Sequence, residues 1–420
     1  MSKKIKKLLE HEEQLYQLTT LVAGRISLQE VLDRLSEAAV KITNVKACSI
    51  RLLDEDAGEL KMRSTYGLSE EYRNKGVVSK NDPVIKAAFA GEAVVLDDMR
   101  VDDRVKYKDA TIKEGLVSQL TVAMEFREKA IGVLRLYSPE SKRFVDKDIA
   151  LARAVASQCA VAITNARFYS EAIEGHRIAE QIRLGGIIQR RMIPEKAPNI
   201  KGLDISSAYI PCFDVGGDFY DFYKIDDHSI AIAICDVMGK GVPAAILMSM
   251  FRGAARAYAE CECGYRGVSK IVNKLNQMAC RECRDGEFIT LFYAIIDVDQ
   301  KRITYCNCGH EPTMLIRDGT ITDLNQGGLV LGVSCDTEYS VDTLNLEQGD
   351  CLLFYTDGLI DAANFNGEFW GRELLVSILD DFESSSAADI INHILGHRRR
   401  FVGLSKQIDD TSIIAVKLKD

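Results

Sequence analysis

No apolar run in this 420-residue chain approaches the roughly 20 residues that a bilayer-spanning helix requires. The opening MSKKIKKLLEHEEQ is too charged after its first residues for a secretory signal, so a cytoplasmic location is expected. A basic excess is missing too: 53 Lys and Arg face 62 Asp and Glu, giving a net charge of −9. That balance excludes the electrostatic footprint of a nucleic-acid or anionic-membrane binder. Internal repeats and low-complexity tracts are lacking. Histidine is scarce, and the second half shows no Ser-His-Asp or Cys-His arrangement for nucleophilic catalysis. What remains, 47% hydrophobic and 27% charged, is enough for two domains with substantial cores.

The second half does carry acids in a pattern. GGDFYD (216–221), CDVMGKG (235–241), YTDG (355–358) and DDTS (409–412) each sit at one end of an apolar, strand-like run. Ile230 to Ile234 leads into Asp236, Leu352 to Tyr355 leads into Asp357, and Ile413 to Val416 follows Asp409 and Asp410. Acids so placed point from a sheet rim into a shared cleft. A single one reads as a helix cap or turn acid, whereas four in register suit hard divalent cations. Carboxylates can bridge two such ions about 3.5 to 4 Å apart, the arrangement of phosphate-ester hydrolysis.

The order and spacing of these pieces resemble the PPM family of metal-dependent Ser/Thr protein phosphatases, in its bacterial SpoIIE/RsbU-like branch. The resemblance runs over about 187–418 and includes IIQRRMIPEKAP, DVGGDFYDF, DVMGKGVPAA, NCGHEP, LGV, GDCLLFYTDGL and the closing DDTS strand. It implies an αββα sandwich and two Mn²⁺ or Mg²⁺ ions. Asp236 would bridge the ions, Asp357 and Asp409 would complete the first, and Asp218 with the Val237 carbonyl would serve the second; Asp410 takes the neighbouring position. It also implies a phosphoprotein substrate, most often a STAS-type anti-sigma-factor antagonist in a partner-switching pathway. One departure matters: SSAYIPCFDVGGD lacks the phosphate-holding Arg of eukaryotic members. Lys240, in a Gly-Lys-Gly turn before a helix opened by Pro243, is a candidate substitute, against the plainer reading of a solvated turn lysine. His310 in GHEP is a candidate for substrate contact or proton transfer, and equally a turn histidine bonded to backbone.

Two other functions share features with this pattern. A nucleotide cyclase also uses a Gly-Gly-Asp hairpin, but YTDG and DDTS have no place in one. A noncatalytic signalling scaffold that only binds partners conflicts with the intact Asp218, Asp236, Asp357 and Asp409.

The first 165 residues are organised differently. Leu18, Leu21, Ile26, Val31 and Leu35 suggest a helix, followed by a hairpin around Asp-Glu-Asp-Ala-Gly, a second strand pair turning at Arg127-Glu128-Lys129, and a long helix with Asp146 as N-cap. This arrangement resembles a GAF domain over about 10–169, which implies an antiparallel sheet flanked by helices and a role in small-molecule or protein sensing, or in dimerisation. The cyclic-nucleotide GAF pattern and a bilin-type cysteine are absent. The expected α+β organisation is a GAF domain (1–165), a helical linker (166–195) and the phosphatase domain (196–420).

Val155, Cys159, Ala162, Ala166, Tyr169 and Ile173 follow coiled-coil spacing, which predicts a homodimer seam, with Gly175 and Gly185-Gly186 as places to bend. The helix after CDVMGKG, with Pro243, Met248 and Phe251, is expected to transmit the sensor's state to the acids. Of the twelve cysteines, Cys261-Glu-Cys263, Cys280-Arg-Glu-Cys283 and Cys306-Asn-Cys308 have partly ligand-like spacing. Cys212, Cys235 and Cys308 read as small buried residues, and thiols packed as hydrophobes are the favoured reading.

Overall fold

The computed structural model describes residues 27–261, 267–379 and 385–419, so Leu18, Leu21, Ile26 and Cys263 lie outside the described residues. The chain divides into two units, one up to Arg177 and one from Ile178.

The first unit comprises α1 (Leu28–Thr43), β1 (Ala47–Asp54), β2 (Glu59–Tyr66), α2 (Glu70–Arg73), β3 (Val78–Ser79), α3 (Pro83–Phe89), β4 (Val94–Leu96), α4 (Lys108–Lys113), β5 (Ser118–Phe126), β6 (Lys129–Ser138) and the start of α5 (Asp146–Arg190). Its strands form an antiparallel sheet in the order β3-β2-β1-β6-β5-β4. Both expected hairpins are present. The β5–β6 turn places Arg127 and Glu128 at φ 50° and 64°, the left-handed pair that a two-residue hairpin needs. Strand alternation sends Cys48, Ile50, Leu120, Leu134 and Leu136 towards α1 and α5, where Leu35, Val155 and Ile163 complete a core. At the start of α5, Asp148 rather than Asp146 takes the capping role, accepting from the Val145 N–H at 3.1 Å.

Helix α5 revises two expectations. Val155, Cys159, Ala162 and Ala166 are buried in the core of their own sheet, so that half of the anticipated seam is unavailable for pairing. Tyr169 and Ile173 remain exposed, at 49% and 52%. The helix also continues through Gly175 and Gly185-Gly186 without a break. By length and composition α5 could cross a membrane, contrary to the sequence expectation, although half of the qualifying window is buried inside the fold.

The second unit contains β7 (Leu203–Ile210), β8 (Phe219–Lys224), β9 (Ser229–Val237), α6 (Val242–Cys261), α7 (Gly267–Glu282), β10 (Ile289–Asp297), β11 (Arg302–Cys308), β12 (Thr313–Arg317), β13 (Thr320–Leu324), β14 (Gly327–Gly328), β15 (Asp342–Asn345), β16 (Cys351–Tyr355), α8 (Gly371–Ser377), α9 (Ala387–Val402) and β17 (Thr411–Leu418). One sheet runs β14-β11-β10-β9-β8 with β15 beside β11, the other β13-β12-β16-β17-β7. Phe292, Phe354, Ile414 and Val416 belong to the core shared by the two sheets, which also takes in Met248 and Phe251 of α6 and Leu275 of α7. On the far side of the second sheet, Leu353, Tyr355 and Ile413 meet Leu375 of α8 and Ile390 and Ile394 of α9. This is the expected αββα sandwich.

Candidate metal centre

The ends of four strands meet at one rim of the sandwich. Asp218 immediately precedes β8, Asp236 is the penultimate residue of its antiparallel neighbour β9, Asp357 lies just beyond β16, and Asp409 and Asp410 lead into β17. Each acid therefore owes its position to an apolar strand that the core fixes in register.

Asp218 is 2% exposed, and its Oδ2 accepts from Thr356 Oγ1 at 2.7 Å and Ser412 Oγ at 3.1 Å. Burial and the charge of Asp236 push its carboxyl well above the usual range. Burial, with Asp357 adding repulsion, likewise raises Asp236 to about 7, a hydrogen bond with Asp218 working the other way. Asp357 is raised by burial and then by Asp409 and Asp361. The site is a cluster of buried and half-buried carboxylates that repel one another.

The structure brings all the predicted acids together but gives two of the candidates different duties. Asp410 anchors the glycine loop: Oδ1 accepts from the Cys212 N–H at 2.7 Å and Oδ2 from the Gly217 N–H at 2.8 Å. A Cβ on Gly216 would sit 2.2 Å from Asp410 Oδ2, and one on Gly217 would sit 2.8 Å from the Val237 carbonyl, so this approach requires both glycines. Lys240, proposed for substrate phosphate, pairs instead with Asp409 Oδ2 at 2.7 Å and donates to the Ile408 carbonyl at 2.6 Å.

His310 lies buried at a turn. Asn307 brackets its backbone, accepting from the His310 N–H at 2.8 Å and donating to its carbonyl at 3.0 Å, while Nδ1 lies 2.8 Å from Thr290 Oγ1. Burial pushes the imidazole down to about 4 from its ordinary 6.5. A histidine depressed in the folded state contributes stability that is fully present above pH 6.5 and is lost as pH falls towards 4. Acidification over that window should therefore cost up to about 3 kcal/mol, and His310→Asn should remove that part of the slope. Urea unfolding at several pH values would show it; equal slopes in both proteins would contradict the assignment.

Several contributors went unread in the sequence. Gln189, near the end of α5, holds Gly216 through two hydrogen bonds, Nε2 to the carbonyl at 2.7 Å and Oε1 from the N–H at 2.9 Å. Asp361 and Glu311 add charge around Asp357. Asp221, fully buried, pairs with Arg252 at 2.8 Å and Arg256 at 2.6 Å on α6. The signal for that pair was available, since Arg252 and Arg256 are four residues apart and share a helix face.

Among the described residues no group of three or more His, Cys, Asp or Glu side chains is placed to hold a metal ion. Lys240 engages Asp409, and Thr356 and Ser412 engage Asp218. The donor chemistry nevertheless fits hard divalent cations: oxygen ligands, buried or half-buried and mutually repelling, with Lys240 offsetting only part of their charge. The described cysteines are free thiols; Cys306 and Cys308 are buried, with sulfurs 3.9 Å apart.

Residues 226–419 match the Stage II sporulation protein E (SpoIIE) family, and residues 26–164 match the GAF domain family. The phosphoserine phosphatase RsbU of Bacillus subtilis (strain 168) is 33% identical over 246 residues, covering 58% of this chain and 71% of that protein. The chain belongs to the RsbU family of PP2C-type serine phosphatases. Protein IcfG of Synechocystis sp. is 30% identical over 264 residues, covering 56% of this chain but 41% of that protein. The SiaA-PP2C domain of Pseudomonas aeruginosa shares the fold, with a TM-score of 0.52 at 18% identity over 59% of this chain and all of that domain. Family membership makes the protein a serine/threonine phosphatase, and phosphatases of this type are metal-dependent.

Proposed function

We propose that the protein removes phosphate from phosphoserine or phosphothreonine on a STAS-type anti-sigma-factor antagonist in a partner-switching pathway, under control of its GAF unit. The convergence of Asp218, Asp236, Asp357 and Asp409 at one rim carries this reading. Asp236 would hold both of two Mn²⁺ or Mg²⁺ ions, Asp357 and Asp409 the first, and Asp218 with the Val237 carbonyl the second. Bound there, the ions would supply an activated water and offset charge on the phosphoryl oxygens. The protein's own contribution is placement: Thr356 and Ser412 orient Asp218, and Asp410 and Gln189 fix the loop that carries it.

Regulation would act through α6. Met248 and Phe251 are fully buried, and the Phe251 ring lies 6.3 Å from that of Phe219, the residue after Asp218. Pro243 stands in the first turn of the helix, a few residues beyond Asp236. A shift of α6 would therefore reach the acids through packing. The exposed Tyr169 and Ile173 are what remains of the predicted homodimer seam.

The test is phosphate release from a serine-phosphorylated STAS-domain protein with Mn²⁺, with Mg²⁺ and with EDTA. Release with either metal and none in EDTA is expected. Turnover of aryl phosphate alone, with the phosphoprotein untouched, would contradict the substrate. A separate expectation concerns Gln189→Ala, which should lower turnover about tenfold by loosening Gly216, with little change in substrate KM. An unchanged kcat would make Gln189 a plain packing residue.

A further inference from the structure

The alternation that sends Cys48, Ile50 and Leu134 into the helix-backed core of the first unit turns Ser49, Arg51, Thr121 and Arg135 to the opposite face of the sheet. That face is otherwise apolar, covered by Leu60, Tyr72, Val84, Leu96 and Met99. Two guanidiniums are buried in it, with Arg51 2% and Arg135 7% exposed. Arg51 Nη1 donates to the Leu60 carbonyl at 3.2 Å, but its Nε and Nη2 meet no acceptor, and neither does Arg135 Nε.

A lysine joins them. Lys75 Nζ lies 3.2 Å over the centre of the Tyr72 ring, and burial together with the charges of Arg135 and Arg51 pushes its ammonium down to about 6. The neighbouring polar groups are already engaged: Gln119 donates to Thr121 Oγ1 at 2.8 Å, and Ser49 Oγ lies 3.1 Å from the Tyr137 hydroxyl. Two acids are near. Asp82 accepts from the Val84 N–H at 3.1 Å, and Glu114, whose charge reaches Lys75, accepts from the Ser69 N–H at 2.7 Å. Among the described residues no carboxylate forms an ion pair with Arg51, Arg135 or Lys75.

Arg135 and Lys75 line a small cavity of about 30 Å³ with Leu96, Met99, Tyr107 and Gln119. Burying an unpaired guanidinium costs several kcal/mol, and two beside a lysine repel one another as well. Counter-charge from a bound ligand would offset that cost through charge-assisted hydrogen bonds to planar donors. We propose that this cavity is the sensor site of the GAF unit and binds a small anion, whose carboxylate or phosphate group is held by Arg135 with Lys75 at its side and the charge of Arg51 nearby. This inference is independent of the phosphatase substrate and metals.

Titration calorimetry on the full chain tests it, in EDTA so that the acid cluster holds no metal that could bind the anion. Succinate and inorganic phosphate are the probes, and sodium chloride controls for ionic strength. Saturable binding of at least one probe, with one site per chain, is expected; succinate alone would mark a carboxylate site and phosphate alone a phosphoryl site. Arg135→Met should weaken binding at least about tenfold, with no loss of thermal stability in the ligand-free chain because it removes a buried unpaired charge. Lys75→Met, at a half-buried position, should weaken binding severalfold and serves if the arginine variant does not fold. Absence of binding by both anions up to about 10 mM, or affinities unchanged in Arg135→Met and Lys75→Met, would overturn the proposal.

Discussion

Replacing Asp236 with asparagine is expected to lower phosphatase turnover at least about 10³-fold, equivalent to ~4 kcal/mol of transition-state stabilisation, because the proposed bridging charge is lost with almost no change in volume. The same substitution should make the metal-free protein more stable. A carboxyl raised to about 7 in the folded state contributes stability that is present at low pH and lost as pH rises through that value. At pH 8 the metal-free wild type therefore carries a buried, repelled charge that the asparagine variant lacks. Thermal unfolding at pH 8 in EDTA should show the variant melting higher, and added Mn²⁺ should raise the wild type far more than the variant. A variant that is inactive because it is unfolded, or active and equally responsive to Mn²⁺, would remove Asp236 from the site.

The second large effect concerns Asp221, three residues beyond Asp218. Both of its oxygens face arginines of α6, at 2.8 Å from Arg252 and 2.6 Å from Arg256, and Oδ1 also accepts from the Phe222 N–H at 2.9 Å. Breaking a buried pair leaves uncompensated charge, so Asp221→Ala should destabilise the phosphatase unit by about 3 to 5 kcal/mol. Because these contacts tie β8 to α6, the residual folded protein should also lose catalytic regularity before it loses secondary structure. Urea unfolding monitored by circular dichroism gives the stability. A loss below about 1 kcal/mol would mean that water screens the arginines enough to make the pair dispensable.

Much of the architecture was legible because two periodicities were clean. Alternation in ACSIRLLD and in the β5–β6 hairpin identified the sheet of the first unit, and apolar runs ending in acids identified the rim of the second. The roles of individual polar residues were harder to read. Nothing in DDTS distinguishes Asp409 from Asp410, yet one lies against Lys240 while the other binds two loop N–H groups, a difference that arises where β17 meets the GGD loop nearly two hundred residues earlier. The spacing of Val155, Cys159, Ala162 and Ala166 suits a dimer seam and a sheet-covering helix face equally, and only the sheet beneath it decides. Arg51 and Arg135 went unread in the sequence, because alternation cannot reveal that the opposite face of the sheet is also covered.

The central claim is that the acids at the sandwich rim form a two-ion hydrolytic centre. Counting bound Mn²⁺ by electron paramagnetic resonance, with phosphate release followed in the same samples, tests it most directly. The wild type should bind two ions per chain and lose turnover in parallel with their removal by EDTA, and Asp236→Asn should lose both the ions and the turnover. Full turnover in metal-free wild type, or two tightly held ions in Asp236→Asn with activity intact, would contradict it.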